Sequence, residues 1–209
     1  MRHIVILFLS FLGTTALAAD PNKPHGHQGK AERFTAPTPS PLTAEEKATL
    51  ERGEPVRKQV KHASGGRGIA IMDINASSEK VWAVILDYKG YPNWIDNLES
   101  TSVYETAGGH HKVQFNLKVA MMDITYFIDH HHQPDKGYLT WHLDYTRESD
   151  IDDSTGYWLV YPTPGYEGWT RVEYTVDLRL KGWVPGIVEN MLAKKGLVLA
   201  TSWVKKQAE

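Results

Sequence analysis

The residues with chemistry to offer are ten histidines, a run of acids near residue 150 and an aromatic-rich second half. If the segments 111–119 and 122–131 form a hairpin turning at Ala120-Met121, His110 faces His131 and His111 faces His130. Four imidazoles at one hairpin end could hold zinc, nickel or copper, and a solvated hairpin terminus is the alternative. Glu148, Asp150, Asp152 and Asp153 could pair for acid–base work, but a charged loop between strands explains them as well. Asp123, inside a strand segment, reads as a salt-bridge partner of Arg147. The chain has no Cys, no G-x-S-x-G, no H-E-x-x-H and no phosphate-binding Gly loop, so nucleophilic, zinc-protease and nucleotide chemistry lack their motifs. No cofactor and no committed metal site or catalytic residue follows from these patterns.

The aromatic residues point elsewhere. Seven Trp and ten Tyr fall almost entirely beyond residue 80. They exceed what a plain core requires, and their N–H and O–H groups can orient an apolar ligand. The candidate contacts are Tyr91 and Trp94 in a turn region, Phe115, Leu117 and Tyr126 on two strands, and Trp141, Leu143 and Tyr145 on a third. Trp158, Tyr174 and Val176 follow, and Trp183, Ile187 and Met191 complete the set near the C-terminus.

Several elements must position them. Met1-Arg2-His3, the apolar run Ile4–Leu12 and Ala16-Leu17-Ala18 make residues 1–18 a signal peptide, so a periplasmic or secreted protein is expected. Residues 19–41, with five Pro and two Gly, read as a flexible linker. Residues 42–209 form the domain, opening with a short helix over 42–53 whose Thr43 and Glu46 have capping-box spacing. Ile69–Ile74 reads as a strand, and a helix capped by Ser77 or Ser78 carries Val81, Trp82, Ile85 and Leu86. A second short helix or turn runs to about Leu98.

Six strand candidates follow. Val113, Phe115, Leu117 and Val119 alternate with Lys112, Gln114, Asn116 and Lys118. The same period of two recurs through Ile124–Ile128, Leu139–Tyr145 and Val172–Leu180, which predicts antiparallel strands packed on one face. A long helix from Pro185 to Trp203 ends the chain, and Gly182–Gly186 before it reads as a gate. The fold class is therefore α+β: a curved antiparallel sheet wrapped around one long helix, with two short helices after the first strand. One helix over a curved sheet leaves a gap, either packed with side chains or kept as a cavity.

The segments "LTAEEKATLERGEPV", "RGIAIMDINASSEKVWAVILDYKGYPNWIDNLESTSVYE", "GYWLVYP" and "GWVPGIVENML" resemble the START-like, or SRPBCC, helix-grip superfamily. The likeness covers residues 42 to 205. It is strongest to its polyketide cyclase and coenzyme-Q-binding branch, through Val81, Trp82, Val84, Asp87, Tyr91, Pro92 and Trp94. The resemblance implies a hydrophobic cavity under the last helix, used by relatives for lipids, isoprenoids, quinones, sterols or polyketides. It implies binding or transfer first, and a cyclase or dehydratase activity in the same cavity second; a cavity filled by side chains would leave an interaction module. The expected partner is a hydrophobic small molecule bound by a monomer, with room for transient membrane contact. The net charge of −2 gives no reason to bind nucleic acid.

Overall fold

The alternating segments assemble into one antiparallel sheet in the computed structural model, which describes residues 18–62, 65–119, 122–182 and 196–209. The strands are β1 (Val56–His62), β2 (Gly65–Ile74), β3 (Leu98–Ala107), β4 (His110–Val119), β5 (Met122–Gln133), β6 (Tyr138–Leu143), β7 (Ile151–Pro162) and β8 (Thr170–Leu180). Their order across the sheet is β1-β2-β8-β7-β6-β5-β4-β3. The α+β class and the large curved antiparallel sheet agree with the expectation. The β4–β5 register also has His110 opposite His131 and His111 opposite His130, as predicted. Ala120-Met121, the expected turn, lies outside the described residues.

β1 was not anticipated. Its sequence, VRKQVKH, hides its apolar residues among charges, as suits an edge strand that must resist further pairing. Val56 nonetheless packs with Ile71 of β2 and with Leu50 of α1 (Ala44–Glu51) on the outer face. The predicted capping box closes α1: Thr43 accepts from the Glu46 N–H, and Glu46 accepts from the Thr43 N–H.

The two short helices after the first core strand are α2 (Ser78–Leu86), capped by Ser77, and α3 (Tyr91–Trp94), separated by one 3-10 turn. α2 buries Val81, Val84 and Ile85 at helical spacing against the inner face. The last helix, α4, is described over Leu197–Ala208 and runs past the expected end at Trp203. The predicted start at Pro185 and the Gly182–Gly186 gate, except Gly182 itself, lie outside the described residues. α4 lies on β2 and α2, with Leu197, Trp203, Val204 and Ala208 buried. Lys205 Nζ donates to the Asp73 carbonyl at 2.6 Å, and the Glu209 carboxylate accepts from the Asn75 N–H at 3.1 Å. The Asp73 side chain takes two bonds from Arg171, at 2.6 and 2.8 Å, which joins β2 to β8 beneath the helix end.

Residues 19–41, expected as a flexible linker, are instead laid along the outer face of the sheet. Asp20 makes an antiparallel bridge with Glu148, and the Lys30 and Ala31 N–H groups donate to Asp153 at 2.6 and 2.8 Å. Ser40 N–H donates to both oxygens of Glu173, and Phe34 meets Tyr157 edge-on at 5.1 Å. His25 is only 5% exposed. A chain segment with no ladder of its own needs acceptors for its N–H groups, and outward-facing carboxylates supply them. The acids read as a charged loop are therefore structural. β7 begins at Ile151 instead of Tyr157, Asp152 and Asp153 belong to it, and Glu148 and Asp153 are buried.

Candidate functional site

The inner face of the sheet gathers most of the predicted contacts. Phe115 and Leu117 of β4, Tyr126 of β5, Trp141 and Leu143 of β6, Trp158 of β7, and Tyr174 and Val176 of β8 all belong to or pack on one apolar cluster. α3 adds Tyr91 and Trp94, and α4 adds Trp203. Trp203 stacks on Trp94 at 5.8 Å, lies 4.6 Å from Tyr91 and meets Trp158 edge-on at 6.1 Å. Tyr174 continues the row, 4.5 Å from Trp158 and 5.4 Å from Trp141. Tyr91 is fixed by donating its hydroxyl to the Ile85 carbonyl. Trp183, Ile187 and Met191 lie outside the described residues.

Not all of these side chains are closed in. Phe115, Trp141, Leu143 and Trp158 are buried, whereas Leu117, Tyr126, Tyr174 and Val176 keep accessible surface although they face inward. Burial drives the hydroxyl pKa of both Tyr126 and Tyr174 well above the usual phenol range. These four partly accessible side chains lie on the inward faces of β4, β5 and β8. Neither hydroxyl hydrogen-bonds to another described residue. Tyr126 also stacks on Phe115 at 5.1 Å, which holds its ring against β4.

Tyr145 belongs to the same apolar cluster, but its hydroxyl points away from the inner face. β6 ends at Leu143, the alternation stops with it, and Tyr145 turns to the outer face. There it donates to Asp153 at 2.7 Å and stacks on His142 at 5.7 Å. Two further residues of the inner-face cluster, Tyr88 and Trp203, carry no signal in the sequence that marks them as such. Tyr88 sits in the break after α2, where no periodicity marks it, and Trp203 was seen only as part of a helical stripe.

The four histidines do not form one site. Adjacent strand residues point to opposite faces, so the pairs separate. His110 and His131 stack at 4.3 Å on the outer face, where His110 Nδ1 lies 2.8 Å from Asp129. His111 and His130 face inward, and His130 Nδ1 lies 3.2 Å from the His111 carbonyl, an arrangement that requires a proton on Nδ1. Burial lowers the His130 pKa to about 3 despite that bond. An imidazole that resists protonation when folded, but titrates normally when unfolded, withdraws stability as pH falls below about 6.5. The His130 ring resonances should therefore stay in the neutral position from pH 8 to 5 by NMR, while the melting temperature declines over the lower part of that range.

Asp123 is corrected as well. Its side chain is 76% exposed and pairs with Lys118 at 3.3 Å, while Arg147 lies 3.9 Å over the Tyr104 ring. It faces away from the cavity and is no candidate for catalysis. Among the described residues, His25, His27 and Asp152 are the group with metal-ligand composition. Each ring is already engaged through both nitrogens: His25 with the Ser149 N–H and Asp152 carbonyl, His27 with the Gly29 N–H and the Asp152 carboxylate. The cluster ties residues 20–30 to β7. A separate cleft of about 210 Å³ lies on the outer face between Arg33–Thr35 and the His110–Asp129 pair.

Comparison with known proteins bears on the family and the fold. The sequence profile of the family described as "Polyketide cyclase / dehydrase and lipid transport" matches residues 70–200. No curated protein sequence matches the chain. Among solved structures, the Zhui aromatase/cyclase from a Streptomyces species is similar at 17% identity and TM-score 0.56, covering 73% of this chain and 94% of that one. A STAR-related lipid transfer protein from Xanthomonas axonopodis is similar at 11% identity and TM-score 0.56, covering 73% and 98%. A START superfamily protein from Mycobacterium smegmatis follows at 13% identity and TM-score 0.53, covering 74% and 96%. At such identities the likeness is one of fold.

Proposed function

Since the chain belongs to the polyketide cyclase/dehydrase and lipid transport family, we propose that it binds or transfers a hydrophobic, lipid-like small molecule held between the sheet and the C-terminal segment. The observation that carries this reading is the set of inward-facing yet partly accessible side chains, Leu117, Tyr126, Tyr174 and Val176, within an otherwise buried aromatic cluster. A core closed by its own side chains packs at crystal-like density and leaves its inward residues no free surface. The sequence of residues 183–191, with Trp183, Ile187 and Met191, supplies further apolar contacts on this reading. Residues 1–18 direct export to the periplasm or outside the cell, and the protein acts as a monomer that touches membranes only in passing. Among the described residues no helix is long and apolar enough to cross a membrane.

A second reading is favoured by one specific feature. Tyr126 and Tyr174 present to the proposed ligand space two phenols with no hydrogen-bond partner among the described residues, both held protonated by burial. Such groups can donate to a carbonyl and orient a reactive chain, as a cyclase or dehydratase requires. Mass spectrometry of solvent extracts from the purified protein tests the first reading. Co-purification of an isoprenoid, sterol or acyl species at near-stoichiometric amount is the expected result, and a protein that neither carries nor takes up any such molecule would sink it. Turnover lost in Tyr126→Phe, with binding intact, would favour the enzyme.

A further inference from the structure

The inner face changes character along β5. Its inward row runs Ile124, Tyr126, Ile128, His130, His132, apolar at one end and imidazole at the other. Opposite the imidazole end lie His111 of β4 and, from above, Trp82 and Tyr88. Tyr88 is 4% exposed, and its ring lies 5.0 Å from His130 and 5.5 Å from Tyr91. Its backbone is held in place by Thr101, whose hydroxyl donates to the Tyr88 carbonyl at 2.7 Å.

Two polar atoms at this end have no hydrogen-bond partner among the described residues: the Tyr88 hydroxyl and His132 Nε2. A buried donor or acceptor left unpaired is costly and rare, so a fold that keeps two at one end of the inner face has a use for them. Tyr88 reaches the inner-face aromatic cluster through His130, whose ring lies 6.0 Å from Phe115 and 6.2 Å from Trp141.

The charge at this end restricts the guest further. The inward residues of β4, β5 and β6 include no Asp, Glu, Lys or Arg. The imidazoles cannot substitute as cations, since burial lowers the pKa of His111, His130 and His132. An ionised carboxylate or an ammonium group would have to be desolvated there without a counter-charge.

Given the ligand cavity proposed above, on which this step rests, we infer that its occupant carries a neutral oxygen function, a hydroxyl or carbonyl, that is hydrogen-bonded by the Tyr88 hydroxyl at the imidazole-lined end. The apolar body of the same molecule lies along Tyr126, Leu117 and Ile124. The site thus selects neutral amphipathic molecules over fatty acids and over pure hydrocarbons.

Displacement of the fluorescent reporter N-phenyl-1-naphthylamine from the mature protein tests this with three probes of one shape: 2-naphthol, 2-methylnaphthalene and 2-naphthoate. In the wild-type protein 2-naphthol should displace the reporter at about tenfold lower concentration than either of the others, the ratio expected of one well-made hydrogen bond. Tyr88→Phe keeps the ring and removes only the unpaired hydroxyl, so it should fold with an unchanged or higher melting temperature. In that variant the advantage of 2-naphthol over 2-methylnaphthalene should fall to about twofold or less. Equal displacement by naphthol and methylnaphthalene in the wild type overturns the inference, as does a naphthol advantage that survives Tyr88→Phe. A lower melting temperature with unchanged selectivity would assign the hydroxyl to a structural bond and overturn it too. Failure of the reporter itself to bind the wild type would instead remove the cavity reading beneath it.

Discussion

Asp153→Ala should cost about 4 kcal/mol of unfolding free energy, the scale for stripping a buried charge from its hydrogen-bond partners. Asp153 has no exposed surface, and its carboxylate accepts four bonds: Lys30 N–H at 2.6 Å, Ala31 N–H at 2.8 Å, Tyr145 O–H at 2.7 Å and Ser154 N–H at 2.9 Å. Alanine leaves those donors facing a void. Bonds to charged groups contribute about 1.5–3 kcal/mol each, and losing several at once is partly relieved by local opening, which keeps the total below their sum. For a chain of this length about 4 kcal/mol lowers the melting temperature by roughly 8–16 °C. Urea unfolding measures the loss, and limited trypsin digestion at Lys30 or Arg33 should speed up because the released segment is the one holding those residues. A cost under about 1 kcal/mol would show that residues 19–41 do not depend on this anchor.

The same carboxylate fixes a pH dependence. Burial alone raises its pKa, but the backbone donors of Ala31 and Lys30, with Tyr145 and Ser154, outweigh that and leave it below the usual carboxylate range. A depressed folded-state pKa contributes stability above the unfolded value of about 4, and that contribution is lost as pH falls through the folded value. Acid below about pH 4 should therefore loosen the N-terminal segment in the wild type and do less to Asp153→Ala.

What could be read in the sequence follows from how local each signal is. Alternation needs only neighbouring residues, so the inward stripe Val113-Phe115-Leu117-Val119 and its pairing with Ile124, Tyr126 and Ile128 were recoverable, register included. The capping box of α1 is equally local. β1 was not legible because its partner, β2, supplies most of the apolar contact, leaving Lys and Arg to dominate its composition. Residues 19–41 fail for a related reason. Their order comes from carboxylates more than 120 residues away, and composition cannot report a distant acceptor. Tyr145 and the histidines show how a one-residue step decides the face: the strand stopped at Leu143, and His110 and His111 parted company across the sheet. A cavity is expected from one helix over a curved sheet together with the family resemblance, signals that say nothing about which side chains would line it.

Val176→Trp should weaken reporter binding by on the order of thirtyfold or more, about 2 kcal/mol, while leaving the fold intact. Val176 lies in the middle of β8, opposite Gly68 of β2 and Gly156 of β7. The space over those glycines is already taken. A Cβ at Gly156 would lie 2.1 Å from the Trp141 ring, and one at Gly68 would lie 2.9 Å from Leu197. On the proposed function, a larger side chain at Val176 grows into the space a guest would occupy. In a filled core the added volume of an indole would strain the packing and cost about 1–3 kcal/mol of stability, with a correspondingly lower melting temperature. In a hollow it meets free space, gains apolar contacts and costs little. The two measurements together decide the case. Lost binding with a melting temperature within about 3 °C of the wild type is the expected pair of results, since that shift corresponds to about 1 kcal/mol. A destabilised protein that still binds the reporter would place the guest elsewhere and show that the inward face of β8 is core.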